Sequence, residues 1–117
     1  MRDMDSLIEE RDGVMVVSPQ GSLDAQTVDE FRAQTDGSLG AGARYFVIDL
    51  GAAPLVDSTG LGALVRLYKR VRVGEGNVCL SRVPSDVKKI LDLTRLSRVF
   101  EVYPTIEEAA ISVKEKR

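Results

Sequence analysis

Three runs decide the fold expected for this 117-residue chain: R-Y-F-V-I-D-L (44–50), V-D-S-T-G-L-G (56–62) and A-L-V-R-L-Y-K-R-V (63–71). The first run is apolar after its opening arginine apart from Asp49, and its β-branched and aromatic residues are typical of a strand buried on both faces. Apolar residues in the last two runs have the spacing of one buried helical stripe, namely Leu61, Leu64, Val65 and Tyr68. A doubly buried strand followed by an amphipathic helix predicts a parallel sheet that is covered by helices.

Strand-like and helix-like segments alternate along the rest of the chain. Two strands at 4–10 and 14–20 surround Asp12-Gly13, a strong hairpin signal, and two more strands are predicted at 77–82 and 99–103. Further helices are predicted at approximately 26–39, from Pro84-Ser85 onward and from Thr105 onward, with capping-box spacings at 27–30 and 105–108. We therefore predict an α/β fold with a mixed, mostly parallel central sheet of about five strands and about four helices, in a single domain over residues 1–117.

The composition limits the classes of function. With 44% hydrophobic residues, 29% charged residues and a net charge of −2, the chain is globular and is not expected to bind nucleic acid directly. No apolar run reaches the roughly 18 residues that span a bilayer, and the opening M-R-D-M-D-S lacks the pattern of a signal peptide. We therefore expect no membrane insertion and a cytoplasmic location.

Histidine is absent and there is one cysteine, which excludes Ser-His and Cys-His nucleophile pairs and any zinc site that uses imidazole. Cys79 lies in the apolar run N-V-C-L-S and is predicted to be a small buried side chain rather than a reactive thiol.

The predicted functional edge of the sheet follows from its topology, because functional groups collect at the carboxyl ends of parallel strands. That edge should carry Asp24 and the stretch 56–62, where either Asp57 or Ser58 would cap a helix, worth about 1 kcal/mol to the fold. Glycines at 60 and 62 each cost about 1 kcal/mol relative to alanine in a helix. Their missing side chains would let another molecule approach the Ser58 hydroxyl; close packing of the helix on its own sheet explains one glycine more easily than both.

An enzyme on this acidic edge is the less favoured alternative. The phosphate-binding patterns G-x-x-x-x-G-K-[ST] and G-x-G-x-x-G are both absent. A magnesium triad of Asp24, Asp49 and Asp57, in a small nucleotide-binding enzyme, stays open although nothing in the spacing requires it. Asp49 itself is predicted to be hydrogen-bonded to loop backbone rather than ionised, because an isolated buried charge is costly.

Several segments resemble the STAS domains, and among these the stand-alone bacterial anti-sigma-factor antagonists. The similar segments cover nearly the whole chain: G-S-L-D-A-Q-T at 21–27, V-I-D-L at 47–50, V-D-S-T-G-L-G at 56–62, L-V-R-L-Y-K-R-V at 64–71 and R-V-F-E-V-Y-P-T-I-E-E-A at 98–109. One departure is L-T-R-L, in which Arg95 stands where many relatives have glycine. A left-handed backbone at Arg95 would cost about 1–2 kcal/mol.

The resemblance implies a binding protein that catalyses nothing and needs no cofactor or metal. Its partner would be an anti-sigma factor that is also a serine kinase and phosphorylates Ser58; a metal-dependent serine/threonine phosphatase would reverse the modification. The unphosphorylated form would bind the anti-sigma factor and so free the sigma factor, and phosphorylation would switch binding off. The expected partner-binding residues are Asp24, Asp57, Ser58, Thr59, Gly60, Leu61 and Gly62.

The resemblance leaves three points open. The family also contains transporter-attached domains, stressosome components and subunits of lipid-transport complexes, so a non-switching subunit or scaffold of a transport or stressosome complex is the alternative function. Arg66 and Lys69 would plausibly extend the partner surface, although a solvated helix face explains both more simply. A monomer or a weak dimer through the sheet edge is expected.

Overall fold

The computed structural model describes residues 5–115, in which five strands and four helices alternate. The strands are β1 (Asp5–Arg11), β2 (Val14–Gln20), β3 (Tyr45–Asp49), β4 (Asn77–Ser81) and β5 (Val102–Tyr103). The helices are α1 (Val28–Gly40), α2 (Ser58–Val73), α3 (Ser85–Leu93) and α4 (Ile106–Glu115), with a 3₁₀ turn at Leu96–Arg98. Residue 4, the predicted start of the first strand, lies outside the described residues.

The strands form one sheet in the order β1-β2-β3-β4-β5. β1 pairs antiparallel with β2, and the other neighbouring pairs are parallel. The hairpin turn consists of Asp12 and Gly13, whose φ angles of 50° and 84° suit the two-residue turn that matches strand twist. The predicted hairpin and the predicted mixed, mostly parallel sheet are both confirmed.

Alternate side chains of the strands enter two separate cores. Phe46, Ile48, Val78 and Leu80 pack against α1, α2 and α3 on one face. Val14, Val16, Val47 and Cys79 pack against Ala109 and Val113 of α4 on the other face. Both faces of the central strands are covered, which explains why their sequences are continuously apolar.

The α2 helix buries a different stripe from the predicted one. Gly60, Ala63, Leu64, Leu67 and Val71 are buried, whereas Leu61, Val65 and Tyr68 are only partly buried and pack at the margin of the core. Small residues at the first turns let the helix lie close to the sheet, and the larger side chains point sideways. The Tyr68 ring, for example, meets the Phe100 ring edge-on with centroids 5.6 Å apart.

The strand predicted at 99–103 is much shorter in the structure. The backbone N–H groups of Val99 and Phe100 donate to the Leu96 carbonyl, and the Phe100 side chain enters the core, so only residues 102–103 pair with β4. Arg95 has φ 65° and ψ 13°, which confirms the left-handed backbone suspected at this position.

One of the two predicted capping boxes is wrong. Thr27 precedes α1, but its hydroxyl donates to the Ser22 carbonyl at 2.8 Å, and Glu30 accepts from the backbone N–H of Ser6 instead of closing the box. At the other helix the expected cap exists, because the Glu108 N–H donates to the Thr105 hydroxyl at 3.0 Å.

Candidate functional site

The carboxyl ends of β2 and β3 carry the candidate site. Beyond β2 the chain reaches Leu23, which forms a parallel bridge with Val56 in the loop after β3. The Leu23 N–H donates to the Leu55 carbonyl at 2.9 Å, and the Asp57 N–H donates to the Leu23 carbonyl at 3.2 Å. The two segments predicted to share this edge of the sheet, which we call the rim, therefore lie side by side.

Asp57 caps α2 and leaves Ser58 free. An Asp57 carboxylate oxygen accepts the Gly60 N–H at 2.9 Å, so the cap is Asp57 rather than Ser58. Ser58, the first residue of α2, is exposed, and among residues 5–115 its hydroxyl has no hydrogen-bond partner. Its neighbour Thr59 is partly buried. The serine hydroxyl is thus presented to solvent at the positive end of the helix dipole.

Asp24 performs a similar task for the neighbouring helix. Its Oδ1 accepts the backbone N–H groups of Gln26 at 2.9 Å and of Thr27 at 3.2 Å. The carboxylate therefore orders the turn that leads into α1, and this turn borders the loop that carries Ser58. Both rim acids stabilise local backbone through one carboxylate oxygen, and both residues are half-buried.

The two glycines of the first turns have different environments. A Cβ atom on Gly60 would lie 2.3 Å from the Leu23 carbonyl oxygen, so Gly60 is needed for close packing within the chain. The expectation that Gly60 makes room for another molecule is therefore wrong. A Cβ on Gly62 would meet no atom within 4 Å, and Gly62 is exposed. Since residues four apart share a helix face, Gly62 continues the face that Ser58 begins.

Large apolar residues stand three positions before and three positions after Ser58, and the exposure of the first, Leu55, was not predicted. Leu61 is partly buried against the core. Leu55 is 49% exposed, and Ala52 and Pro54 in the same loop are exposed as well. The sequence feature that could have indicated this exposure is the uncharged run G-A-A-P-L-V at 51–56. An apolar residue in such a run lies outside any predicted strand or helix, so no regular element is expected to bury it.

Asp49, at the end of β3, differs from its prediction. Its carboxylate is only 2% exposed and accepts from Arg82 Nε at 2.9 Å and Arg82 Nη2 at 2.7 Å. The Gly51 N–H and the Ser81 hydroxyl also donate to it. Burial alone would raise the pKa of Asp49, but the hydrogen bonds from Arg82 and Gly51 outweigh burial and the pKa is lowered. The predicted loop hydrogen bond exists, and the prediction that the group is not ionised is wrong.

The basic residues of α2 divide into two groups. Arg66 contacts Asp36 of α1 at 3.1 Å, and Arg70 binds the same carboxylate, so these two side chains tie the helices together. Lys69 and Arg72 are exposed on the same helix. Arg66 therefore has an internal role, whereas Lys69 keeps the solvated position that the sequence indicated.

No group of three or more histidine, cysteine or acidic residues within 5–115 is placed to hold a metal ion. The Asp24, Asp49 and Asp57 triad that the sequence left open does not form in this part of the chain. Among the described helices, none combines the length and the apolar character needed to cross a membrane.

Comparison with known proteins agrees with the fold. The family described as the STAS domain matches residues 6–109. The anti-sigma F factor antagonist of Paenibacillus polymyxa is 29% identical over 97 residues, which are 82% of this chain and 83% of that protein. The crystal structure of a candidate anti-sigma factor antagonist from Thermotoga maritima has a TM-score of 0.88 at 27% identity and covers 92% of this chain and 93% of that one.

A more distant neighbour supports the fold alone. The Bacillus cell fate determinant SpoIIAA, solved in its phosphorylated form, has a TM-score of 0.75 at 21% identity, covering 93% of this chain and 99% of that one. With a family match over almost its full length and a fold to accompany it, this chain belongs to the STAS domain family.

Proposed function

We propose that this chain is an anti-sigma-factor antagonist of a partner-switching pathway and that Ser58 is its phosphoacceptor. The observation that carries the proposal is the exposed Ser58 hydroxyl, which begins α2 and is free of internal hydrogen bonds among the described residues. Similarity to anti-sigma factor antagonists along most of the chain supplies the class of partner. In the unmodified form the chain binds an anti-sigma factor that is a serine kinase, and the sigma factor is released.

The charge at the rim explains how one phosphate ends that interaction. A phosphoserine carries about −1.5 to −2 charges at neutral pH. At a helix N-terminus this charge is tolerated, because unpaired N–H groups and the helix dipole face it. Against a partner surface that packs on the rim it is unfavourable, since the phosphate would lose water beside the Asp57 carboxylate. Modification therefore abolishes binding while the domain stays folded.

The proposed partner surface consists of Asp24, Asp57, Ser58, Thr59, Gly60, Leu61 and Gly62. Ser58 is the modified group, and Gly62 provides the open backbone beside it. Asp24 and Asp57 present their free carboxylate oxygens, and Gly60 keeps the helix close to the rim. Thr59 and Leu61, both partly buried, support the surface from the side.

The remaining parts of the proposal concern partners and location. The chain acts without catalysis and without a cofactor, in the cytosol, as a monomer or a weak dimer. A metal-dependent serine/threonine phosphatase restores the binding form. The protein acts on transcription through protein contacts only, without touching nucleic acid or inserting into a membrane.

The test compares the wild-type chain with Ser58→Ala and Ser58→Asp in binding to the anti-sigma factor and in phosphate incorporation. Ser58→Ala is expected to bind and to take up no phosphate, and Ser58→Asp is expected to bind at least ten-fold more weakly, roughly 1.4 kcal/mol. Ser85 provides a matched control, because it is also an exposed serine at the first position of a helix. Ser85→Ala and Ser85→Asp should behave like the wild type.

Equal binding by all three Ser58 forms would contradict the switch. That result, together with recovery of membrane-complex subunits and no kinase, would favour a constitutive scaffold. Phosphate that appears on Ser85 or elsewhere in the Ser58→Ala variant would contradict the assignment of the phosphoacceptor.

A further inference from the structure

We infer that Leu55 is the apolar anchor of the partner interface, inserted into an apolar pocket of the anti-sigma factor next to the cleft that receives Ser58. This inference rests on the proposed function and adds a binding residue to it. Leu55 lies in the loop between β3 and α2, and Ala52 and Pro54 of the same loop are exposed beside it.

Leu55 is exposed although other apolar residues of the same loop are buried. Ala53 and Val56 are fully buried and form the floor of the loop, while the Leu55 side chain is 49% exposed. From Gly51 to Val56 the loop contains no charged residue. A partner that covers residues 52–56 therefore removes no water from a charged group of the loop itself, and such desolvation is the costly step in burying a polar surface.

The backbone at Leu55 is also ordered before any partner binds. The Leu55 carbonyl accepts the Leu23 N–H at 2.9 Å, and the next residue, Val56, bridges Leu23 in parallel register. On the other side the Ala53 N–H donates to the Leu50 carbonyl at 3.0 Å, and Pro54 has a restricted φ angle. Because this backbone is already ordered, binding costs little backbone entropy and more of the burial appears as affinity.

The polar groups of the rim do not provide an apolar contact for the partner. Asp24 and Asp57 each use a carboxylate oxygen to hold backbone N–H groups of the chain itself. Ser58 presents one hydroxyl, which must stay accessible for phosphate transfer. Interfaces typically draw most of their affinity from a few side chains in well-packed pockets, and Leu55, three positions before Ser58, is a large apolar side chain exposed in this loop.

Two other exposed apolar residues, Val73 and Leu93, lie at the carboxyl ends of their helices. Val73 closes α2, which is 16 residues long, and its backbone is therefore about 22 Å along the helix from Ser58. Leu93 is the last residue of α3 and is 84% exposed. Leu93 is thus a leucine of greater exposure at the end of a different helix, which makes it a matched control.

The anchor also explains why modification releases the partner. Leu55 precedes Ser58 by three positions, and Asp57 lies between them. A phosphate on Ser58 would bring its water shell to the edge of the apolar contact. The partner could then keep the leucine buried only by removing water from the phosphate, and that cost opposes binding.

The experiment uses the full chain and the anti-sigma factor kinase that phosphorylates it, and compares Leu55→Ser, Leu55→Met and Leu93→Ser. Leu55→Ser is expected to weaken binding about ten-fold and to raise the KM for phosphorylation by the same factor with kcat unchanged, because a contact equal in ground and transition states is lost. Leu55→Met keeps the volume and Leu93→Ser leaves the rim intact, so both should match the wild type within about two-fold.

Thermal unfolding of each variant separates binding from folding, and Leu55→Ser should unfold as the wild type does. Wild-type affinity in Leu55→Ser, or an equal loss in Leu93→Ser, would overturn the anchor while leaving Ser58 as the switch. If the unaltered chain is bound and phosphorylated by no anti-sigma factor kinase, both the proposed function and the anchor are overturned.

Discussion

The two glycines of the α2 first turns show how one residue type serves two purposes. A Cβ atom at Gly60 would collide with the Leu23 carbonyl, whereas a Cβ atom at Gly62 would meet no atom of residues 5–115 within 4 Å. Stability and binding should therefore respond in opposite ways to the same substitution. We expect Gly60→Ala to lower the free energy of unfolding by about 1–3 kcal/mol, because a Cβ would lie 2.3 Å from backbone.

Gly62→Ala should instead raise the free energy of unfolding by up to about 1 kcal/mol, since alanine is the better helix former and meets no clash. The same variant should bind the anti-sigma factor more weakly. Urea unfolding and a binding titration on both variants test the pair. A stabilised Gly62→Ala with unchanged affinity would remove Gly62 from the partner surface.

Cys79 illustrates a residue whose chemistry is suppressed by its position. Its thiol is buried between β4 and α4, 3.5 Å from the Ala109 carbonyl, and burial, with a smaller effect of Glu101, raises its pKa to about 12. The thiolate is the reactive form, so at pH 8 the native chain should react with a thiol reagent at least about 100-fold more slowly than the unfolded chain. Rapid labelling of native protein at the rate seen in urea would contradict this account.

At the level of elements, patterns local in sequence were predictable and contacts between distant segments were not. The hairpin, the β3 strand and the Thr105 cap follow from residues within a few positions of one another. The capping box at Thr27 failed because Ser22 and Ser6 took the groups that would have closed it. Nothing within 27–30 indicates those competing partners.

The same limit applies to the candidate site. Its location followed from topology, because strand ends of a parallel sheet meet at one edge. The charge state of Asp49 did not follow, since its partner Arg82 comes 33 positions later and reaches it only when β3 and β4 pair. The exposure of Leu55 was also hidden, because loop residues carry no period from which a buried face can be inferred.

The Asp49–Arg82 pair links the end of β3 to the end of β4, and its contribution should depend on pH. The folded-state pKa of Asp49 is lowered, so the stabilisation is present above the unfolded-state pKa of about 3.9 and is lost as pH falls through the lower folded value. We expect Arg82→Gln to lower the free energy of unfolding at pH 7 by roughly 1–3 kcal/mol, discounted from a fully buried pair because Arg82 is half exposed.

The difference between Arg82→Gln and the wild type should shrink as pH falls from the unfolded-state value of about 3.9 through the lowered pKa of Asp49, where the wild-type carboxylate takes up its proton and the ion pair is lost. Chemical denaturation from pH 3 to pH 8 measures it. Arg98→Gln, at an exposed arginine in the 3₁₀ turn, is the control and should change stability little at any pH. A loss in Arg82→Gln that does not vary with pH would show that packing rather than the ion pair holds these strand ends.

At the scale of the whole molecule, the switch site and the fold are largely independent. Ser58 is exposed and its hydroxyl makes no hydrogen bond among residues 5–115, whereas the cores on the two sheet faces together draw on residues of every helix. The covered central strands give the domain its stability, and the rim loops give it a surface that changes charge. A regulator built this way can lose its partner without losing its structure.

Phosphorylation should therefore leave the free energy of unfolding within about 1 kcal/mol of the unmodified value while it abolishes binding. The net charge would change from −2 to about −3.5 to −4, and the added charge would sit at the start of α2, where the helix dipole offsets part of the repulsion from Asp57. Denaturation of the phosphorylated chain and of Ser58→Glu, beside wild type and Ser85→Glu, measures this directly. If phosphorylation removed more than about 2 kcal/mol, the partner would be released by local unfolding, and contact repulsion at the rim would not be the mechanism.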